Sequence, residues 1–191
     1  NMDDVILAGR DLTGAQLVGV DLSGKDLTNT ILTDADLKRA NLSNVILTNT
    51  ILTGADLTYA KLSGADLSGK DLTGTVLKGV DLTNSNLSGV NLAGKDLFRA
   101  KLVGVDLSGM DLTGIVLSES DLSNAIITNA ILTGADLSHT NLTGVDLSGV
   151  NLTGIDLTGA KLSGADLSGK DLTGTILRDI DLSNANLSGV N

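Results

Sequence analysis

The chain has no cysteine, no proline and no tryptophan, and only one Tyr, one Phe and one His among its 191 residues. Without cysteine there is no disulfide framework, no thiolate nucleophile and no thiolate metal site, and the redox compartment leaves no mark on the sequence. With so few aromatics, the apolar content has to pack as ladders of like aliphatic side chains rather than as an ordinary globular core. No run of about 18 apolar residues is present for a membrane span. No signal-peptide pattern opens the chain, although a cleaved leader would leave no trace. The expected setting is therefore soluble, in a bacterial cytoplasm. A net charge of −10 makes the protein acidic, favours solubility and disfavours direct binding to nucleic acid or an anionic membrane.

What is present is a single period. Leu, replaced once by Ile127, falls on every fifth residue from Leu7 to Leu187, giving 37 pentads in register. A period of five is neither that of a helix nor that of a flat strand, so it describes a chain that turns a corner every five residues. Let the central Leu be position i. Position i−2 is mostly small or β-branched, as at Ala15, Val20 and Ala35, and lies on the same side of an extended segment as i, which makes that side the interior. Position i−1 holds 18 Asp and 6 Asn and faces solvent, and position i+1 is Ser or Thr in 29 pentads. Position i+2 holds all 23 glycines and seven asparagines. These residues accept positive φ, so i+2 is the second central residue of a turn, most naturally type II.

Four corners close one coil of 20 residues, and coils stack as in a parallel sheet at roughly 4.8 Å. The expected fold is all-β, a parallel solenoid of square section with four pentads per coil and about nine coils. It forms one domain over residues 5–191 behind a short lead-in, 1–4. Two internal echoes support the coil length. Residues 60–91 and 160–191 match at 26 of 32 positions with an offset of five whole coils, and Asn49–Leu62 echoes Asn129–Leu142 with an offset of four. Copying of whole coils explains both.

Segments such as Ala65-Asp66-Leu67-Ser68-Gly69 and Ala55-Asp56-Leu57-Thr58 resemble the A(D/N)LXX motif of the pentapeptide-repeat proteins, and the resemblance runs over residues 5–191. It implies that family's fold, a right-handed quadrilateral β-helix. It also implies that function is mostly unassigned in the family. A minority, the fluoroquinolone-resistance members, resemble DNA in shape and charge and bind DNA gyrase.

The departures from the repeat are more informative about function. Seven i+2 residues are neither Gly nor Asn, and six of them fall on one face, the third when Leu7 opens the first: Arg39, Tyr59, Arg99, Glu119, His139 and Asp179. The bulky i+1 residues Lys38, Lys78, Phe98 and Arg178 fall there too. A structural explanation is that this corner uses a turn type without positive φ, which tolerates any residue. That leaves the collection of large, charged and aromatic side chains unexplained, and such residues favour a partner-binding edge. Ile31, Ile46 and Ile51 replace the solvent-facing Asp and form a candidate apolar contact patch, echoed by Ile126 and Ile131. Stacked carboxylates such as Asp36/Asp56, Asp136/Asp156 and Asp146/Asp166 carry no calcium-loop signature, so at most an adventitious cation is expected. Arg10, Lys25, Lys70, Lys95 and Lys170 occupy the wall position i−2, where the aliphatic stem is expected to pack and the charged head to escape at a corner.

No metal or cofactor site is indicated, and nothing assembles into a nucleophile–base pair, so the protein is expected not to be an enzyme. The leading reading is a rigid scaffold or interaction module that presents side-chain columns to an unknown protein partner. The alternative is a DNA-mimic binder of a DNA-binding enzyme such as gyrase. No loop interrupts the coil, however, and the chain has no C-terminal helix, both features of the gyrase-binding members. An outside alternative is binding to ice or another ordered surface through the Ser/Thr columns. Open coil ends expose sheet edges and Leu, which predisposes to end-to-end self-association.

Overall fold

Every backbone N–H of the pentad Ala55–Tyr59 has an acceptor in a computed structural model that describes residues 5–191. Ala55 N donates to Leu52 O across the preceding corner (3.0 Å), Asp56 N to Ala35 O on the coil before (2.9 Å), and Leu57 N and Tyr59 N to Val76 O and Lys78 O on the coil after (2.9 and 2.8 Å). The fifth, Thr58 N, donates to the carboxylate Oδ1 of Asp56 (3.0 Å). A buried or half-buried amide left unpaired is costly, so this closed accounting is what makes a side of one bridging residue viable. It also explains the Asp/Asn column. The i−1 side chain faces solvent, as expected, but it also serves as the acceptor for an amide that neither the ladder nor the turn can satisfy. The Ser or Thr at i+1 donates its hydroxyl to the same oxygen, as at Thr13 on Asp11 and Ser23 on Asp21.

The chain forms two units, Asn1–Asn91 and Leu92–Asn191. The lead-in 1–4 lies outside the described residues. Within each unit every bridge is parallel and joins residues 20 apart, as at Asp11↔Ile31 and Asp36↔Asp56 in the first and at Asp96↔Val116 and Asp136↔Asp156 in the second. Twenty residues therefore make one coil of four sides. The Leu column fills its interior: Leu22, Leu27, Leu32 and Leu37 in the first unit and Leu97, Leu102, Leu107 and Leu112 in the second are fully enclosed. Each such burial contributes roughly 1.5–3 kcal/mol.

All 37 residues at i+2 have positive φ, from +52° at Asp179 to +74° at Gly144 and Gly164. The third corner is no exception, which overturns the expectation that it adopts a turn free of positive φ. Only one of the two central turn residues is left-handed, as type II requires.

Several polar wall residues are tied to the corner of the preceding coil. The hydroxyls of Thr30, Thr50 and Thr140 donate to the carbonyls of Leu7, Leu27 and Leu117, each 23 residues back, at 2.9, 2.7 and 3.0 Å. Of the wall lysines, Lys170 follows the same logic. Lys25, Lys70, Lys95 and Lys170 are half-buried and Arg10 is exposed. Lys170 Nζ reaches back to Leu147 O (2.7 Å) and Val150 O (3.0 Å). The Lys170 ammonium is thus held by main-chain carbonyls of the preceding coil.

Candidate functional site

The six irregular residues of the third corner share one backbone state. Arg39 and Tyr59 in the first unit have φ of 57° and 56°; Arg99, Glu119, His139 and Asp179 in the second have 59°, 58°, 57° and 52°. All six side chains are exposed. A left-handed conformation costs a side chain with a Cβ about 1 kcal/mol relative to Gly, so each of these residues is held against a local preference that Gly would relieve.

In the first unit Lys38 and Tyr59 are fixed by their neighbours. Lys38 Nζ lies 3.0 Å from Oδ2 of both Asp36 and Asp56. The ammonium occupies the place between stacked carboxylates that an adventitious cation would take. Hydrogen bonds to Asp56 and then Asp36 raise the Lys38 pKa above its ordinary value. Tyr59 is 47% exposed, yet its ring lies across Gly79, one coil on, so that a Cβ on Gly79 would fall within the ring atoms. Lys78 and Arg39 stand exposed on the same corner.

In the second unit Arg99 Nε donates to Glu119 Oε2 at 2.8 Å, and its guanidinium carbon lies 4.8 Å from the Phe98 ring centroid. Phe98 itself is half-buried. His139 covers Gly159 as Tyr59 covers Gly79. Arg178 and Asp179 are exposed one coil beyond. The Asp156 carboxylate is held below the usual range by the Thr158 hydroxyl and amide, with smaller contributions from Arg178 and His139. The result in each unit is a corner column of ordered side chains, with cationic, aromatic and hydrogen-bonding groups facing outward.

The three isoleucines of the candidate apolar patch lie on two adjacent sides of the coil. Ile31 and Ile51 are bridge partners on one side of the coil, and Ile46 lies across the corner from Ile51; Ile46 and Ile51 are exposed and Ile31 is half-buried. Two features escaped sequence reasoning. One is the acceptor role of the Asp column, signalled by the Asp-Leu-Ser/Thr spacing. The other is an opening in the wall beside Lys70, for which the only signal was a long charged residue at a wall position.

Repeating pentads coiled four to a turn, with a Leu bore and generic sides, define a β-solenoid repeat protein. Its family follows from comparison. The profile described as Pentapeptide repeats matches residues 11–49, 35–74, 50–89, 100–138 and 171–191, and the chain belongs to that family, with its right-handed quadrilateral β-helix. Among solved structures, a trypsin-treated variant of QnrB1, a plasmid-mediated fluoroquinolone resistance protein, is 23% identical with a TM-score of 0.58, over 92% of this chain and 85% of that one. Full-length QnrB1 is 20% identical with a TM-score of 0.54, over 92% and 91%. HetL, a pentapeptide repeat protein involved in heterocyst differentiation regulation from the cyanobacterium Nostoc sp. strain PCC 7120, is 32% identical with a TM-score of 0.38, over 96% and 87%. No curated protein sequence matches the chain. Among the described residues no helix is long and apolar enough to cross a membrane.

Proposed function

We propose that this protein is a non-catalytic scaffold, built from about nine coils, whose third corner presents side chains to a protein partner. The observation that carries this reading is the clustering of strained residues. Six bulky or charged side chains occupy left-handed third-corner positions, two in the first unit and four in the second, whereas the other corners of each unit are Gly or Asn with the single exception of Asp34. Conformational cost retained at one place and avoided elsewhere points to a use for the side chains themselves. Arg and Tyr are also the types that dominate binding energy at interfaces.

Glycine replacement tests this with little risk to the fold. Arg39→Gly with Tyr59→Gly, and Arg99→Gly with His139→Gly, remove the side chains while relaxing the turns. On this reading partner recovery from lysate falls for these variants but persists for Gly controls at Asn44 and Asn84. Equal recovery by all of them contradicts it.

A second reading, a DNA mimic acting on an enzyme such as gyrase, draws on the net charge of −10 and on the fold shared with QnrB1. Inhibition of gyrase supercoiling by the intact chain at micromolar concentration supports that reading, and unaltered supercoiling removes it.

A further inference from the structure

Among the described residues of the first unit the ladder is interrupted where Lys70 enters the wall. Between residues 45–49 and 65–69 the bridge that would join Ile46 to Asp66 is missing, and the bridge that would join Ile51 to Asp71 is missing there as well. Among the described residues the amides of Leu47 and Asn49 have no acceptor on the next coil. Their counterparts one coil earlier, Leu27 N and Asn29 N, donate to Ile46 O and Thr48 O at 2.9 Å each. A cavity of about 460 Å³ occupies the gap, lined by residues 45–49 on one coil and by Asp66, Ser68 and Lys70 on the next. A Cβ on Gly69 would meet nothing within 4 Å there, whereas one on Gly89 would meet Gly69 at 3.8 Å. Lys70 occupies this wall slot where the two preceding coils have Thr30 and Thr50.

The second unit carries the same feature 100 residues on, and the two differ in an instructive way. Its cavity, about 300 Å³, is lined by residues 145–149 with Asp166, Ser168 and Lys170. There Lys170 donates to Leu147 O and Val150 O, and Asp146 Oδ1 accepts from Ser148 N at 2.8 Å. In the first unit Ile46 stands where the second has Asp146, so no side chain at that position accepts from Thr48 N. Among the described residues the Lys70 ammonium has no hydrogen-bond acceptor, and burial lowers its pKa, opposed by Asp66. The rim does not account for the difference. Asp66 and Asp166 make the same bonds, to Ser68 and Asn86 and to Ser168 and Asn186 respectively. The other exposed isoleucines at i−1, Ile6, Ile51, Ile126, Ile131 and Ile176, do not line either of these cavities.

Among the described residues the first cleft thus has an ammonium and three successive amides, Leu47, Thr48 and Asn49, without acceptors, and an exposed apolar side chain where its duplicate has a built-in carboxylate. We propose that this cleft binds a small aliphatic carboxylate, one oxygen accepting from the Thr48 amide as Asp146 accepts from Ser148, with Lys70 supplying the opposite charge and Ile46 covering the alkyl chain. Charge-assisted bonds to an ammonium and an amide are the strong class of polar contact, and the cleft is within the size range of small-molecule sites.

The test is a titration of the intact chain with sodium butyrate, at constant ionic strength set with sodium chloride and followed by amide chemical shifts. Saturable shifts are expected at Thr48 and Asn49. Lys70→Met should weaken them by roughly tenfold. Ile46→Asp, which installs the residue found at position 146, should abolish them. Asp146→Ile should create a second responding amide at Ser148. A thermal melt of each variant establishes that it is folded. Shifts that do not saturate, or that survive both Lys70→Met and Ile46→Asp, overturn the proposal. Inorganic phosphate binding as tightly as butyrate, with Ile46→Ala leaving butyrate unaffected, overturns the assignment to an aliphatic carboxylate.

Discussion

The ring of Tyr59 lies across the Cα of Gly79, the next residue in its corner column. Gly79 is itself left-handed, with φ of +64°. Two requirements therefore coincide at Gly79, one of backbone and one of packing. Gly79→Ala should cost about 1–2 kcal/mol for the turn alone, and should also expel the ring. Gly19→Ala, at a corner with nothing within 4 Å of the added Cβ, should show the turn cost only. Urea midpoints of the two variants, with Tyr59 fluorescence reporting on the ring, check both parts.

The same distinction marks what the sequence revealed and what it did not. The Leu column and the Gly/Asn corners made the coil length, interior face and turn position legible, because each is dictated by a local rule repeated every five residues. The sequence also located the third corner. What it could not give was the backbone state there: Arg, Tyr, Glu and His are poor left-handed residues, so their presence argued for a different turn. The stacking register overrides that preference, since a relaxed corner would lose the ladder bonds on either side, such as Tyr59 N to Lys78 O. The opening at Lys70 was illegible for another reason. Lys25, Lys70, Lys95 and Lys170 look alike in sequence, and the coil beneath each decides how its ammonium is accommodated.

Acid should destabilise the fold in a defined window. The carboxylates of Asp11, Asp26, Asp111 and Asp171 are held below the usual range, first by the Thr hydroxyl two residues on and then by its amide. A carboxylate with a lower pKa in the folded than in the unfolded chain stabilises the fold while ionised. That contribution is complete above the unfolded value of about 4 and is lost as pH falls through the lowered value. Urea midpoints should be flat from pH 7 to about 5 and fall below about pH 4. Stability that rises on acidification contradicts the assignment.

Ser85 is buried in the wall and its hydroxyl has no partner among the described residues. The duplicated coil has Ala185 at the matching position. Ser85→Ala should therefore stabilise the protein by about 1 kcal/mol, read as a rise in melting temperature.

The opening beside Lys70 should be visible in amide exchange. Leu47 and Asn49 should exchange faster than Leu27 and Asn29, by about tenfold or more. Lys70→Thr places at this wall position the residue that elsewhere bonds the corner carbonyl 23 residues back, as Thr50 bonds Leu27 O. It should close the seam and slow the Leu47 amide. Equal exchange at Leu27 and Leu47 in the unmodified chain would contradict an open seam.

The central claim is that the third corner keeps its side chains against a conformational cost rather than for stability. The unfolding free energy of Arg39→Gly with Tyr59→Gly, compared with the unmodified chain in urea, tests it most directly. The account predicts a variant that is equally stable or up to about 1–2 kcal/mol more stable. A loss of stability of that size would show that these residues hold the coil together, and would contradict their assignment as a presented binding edge.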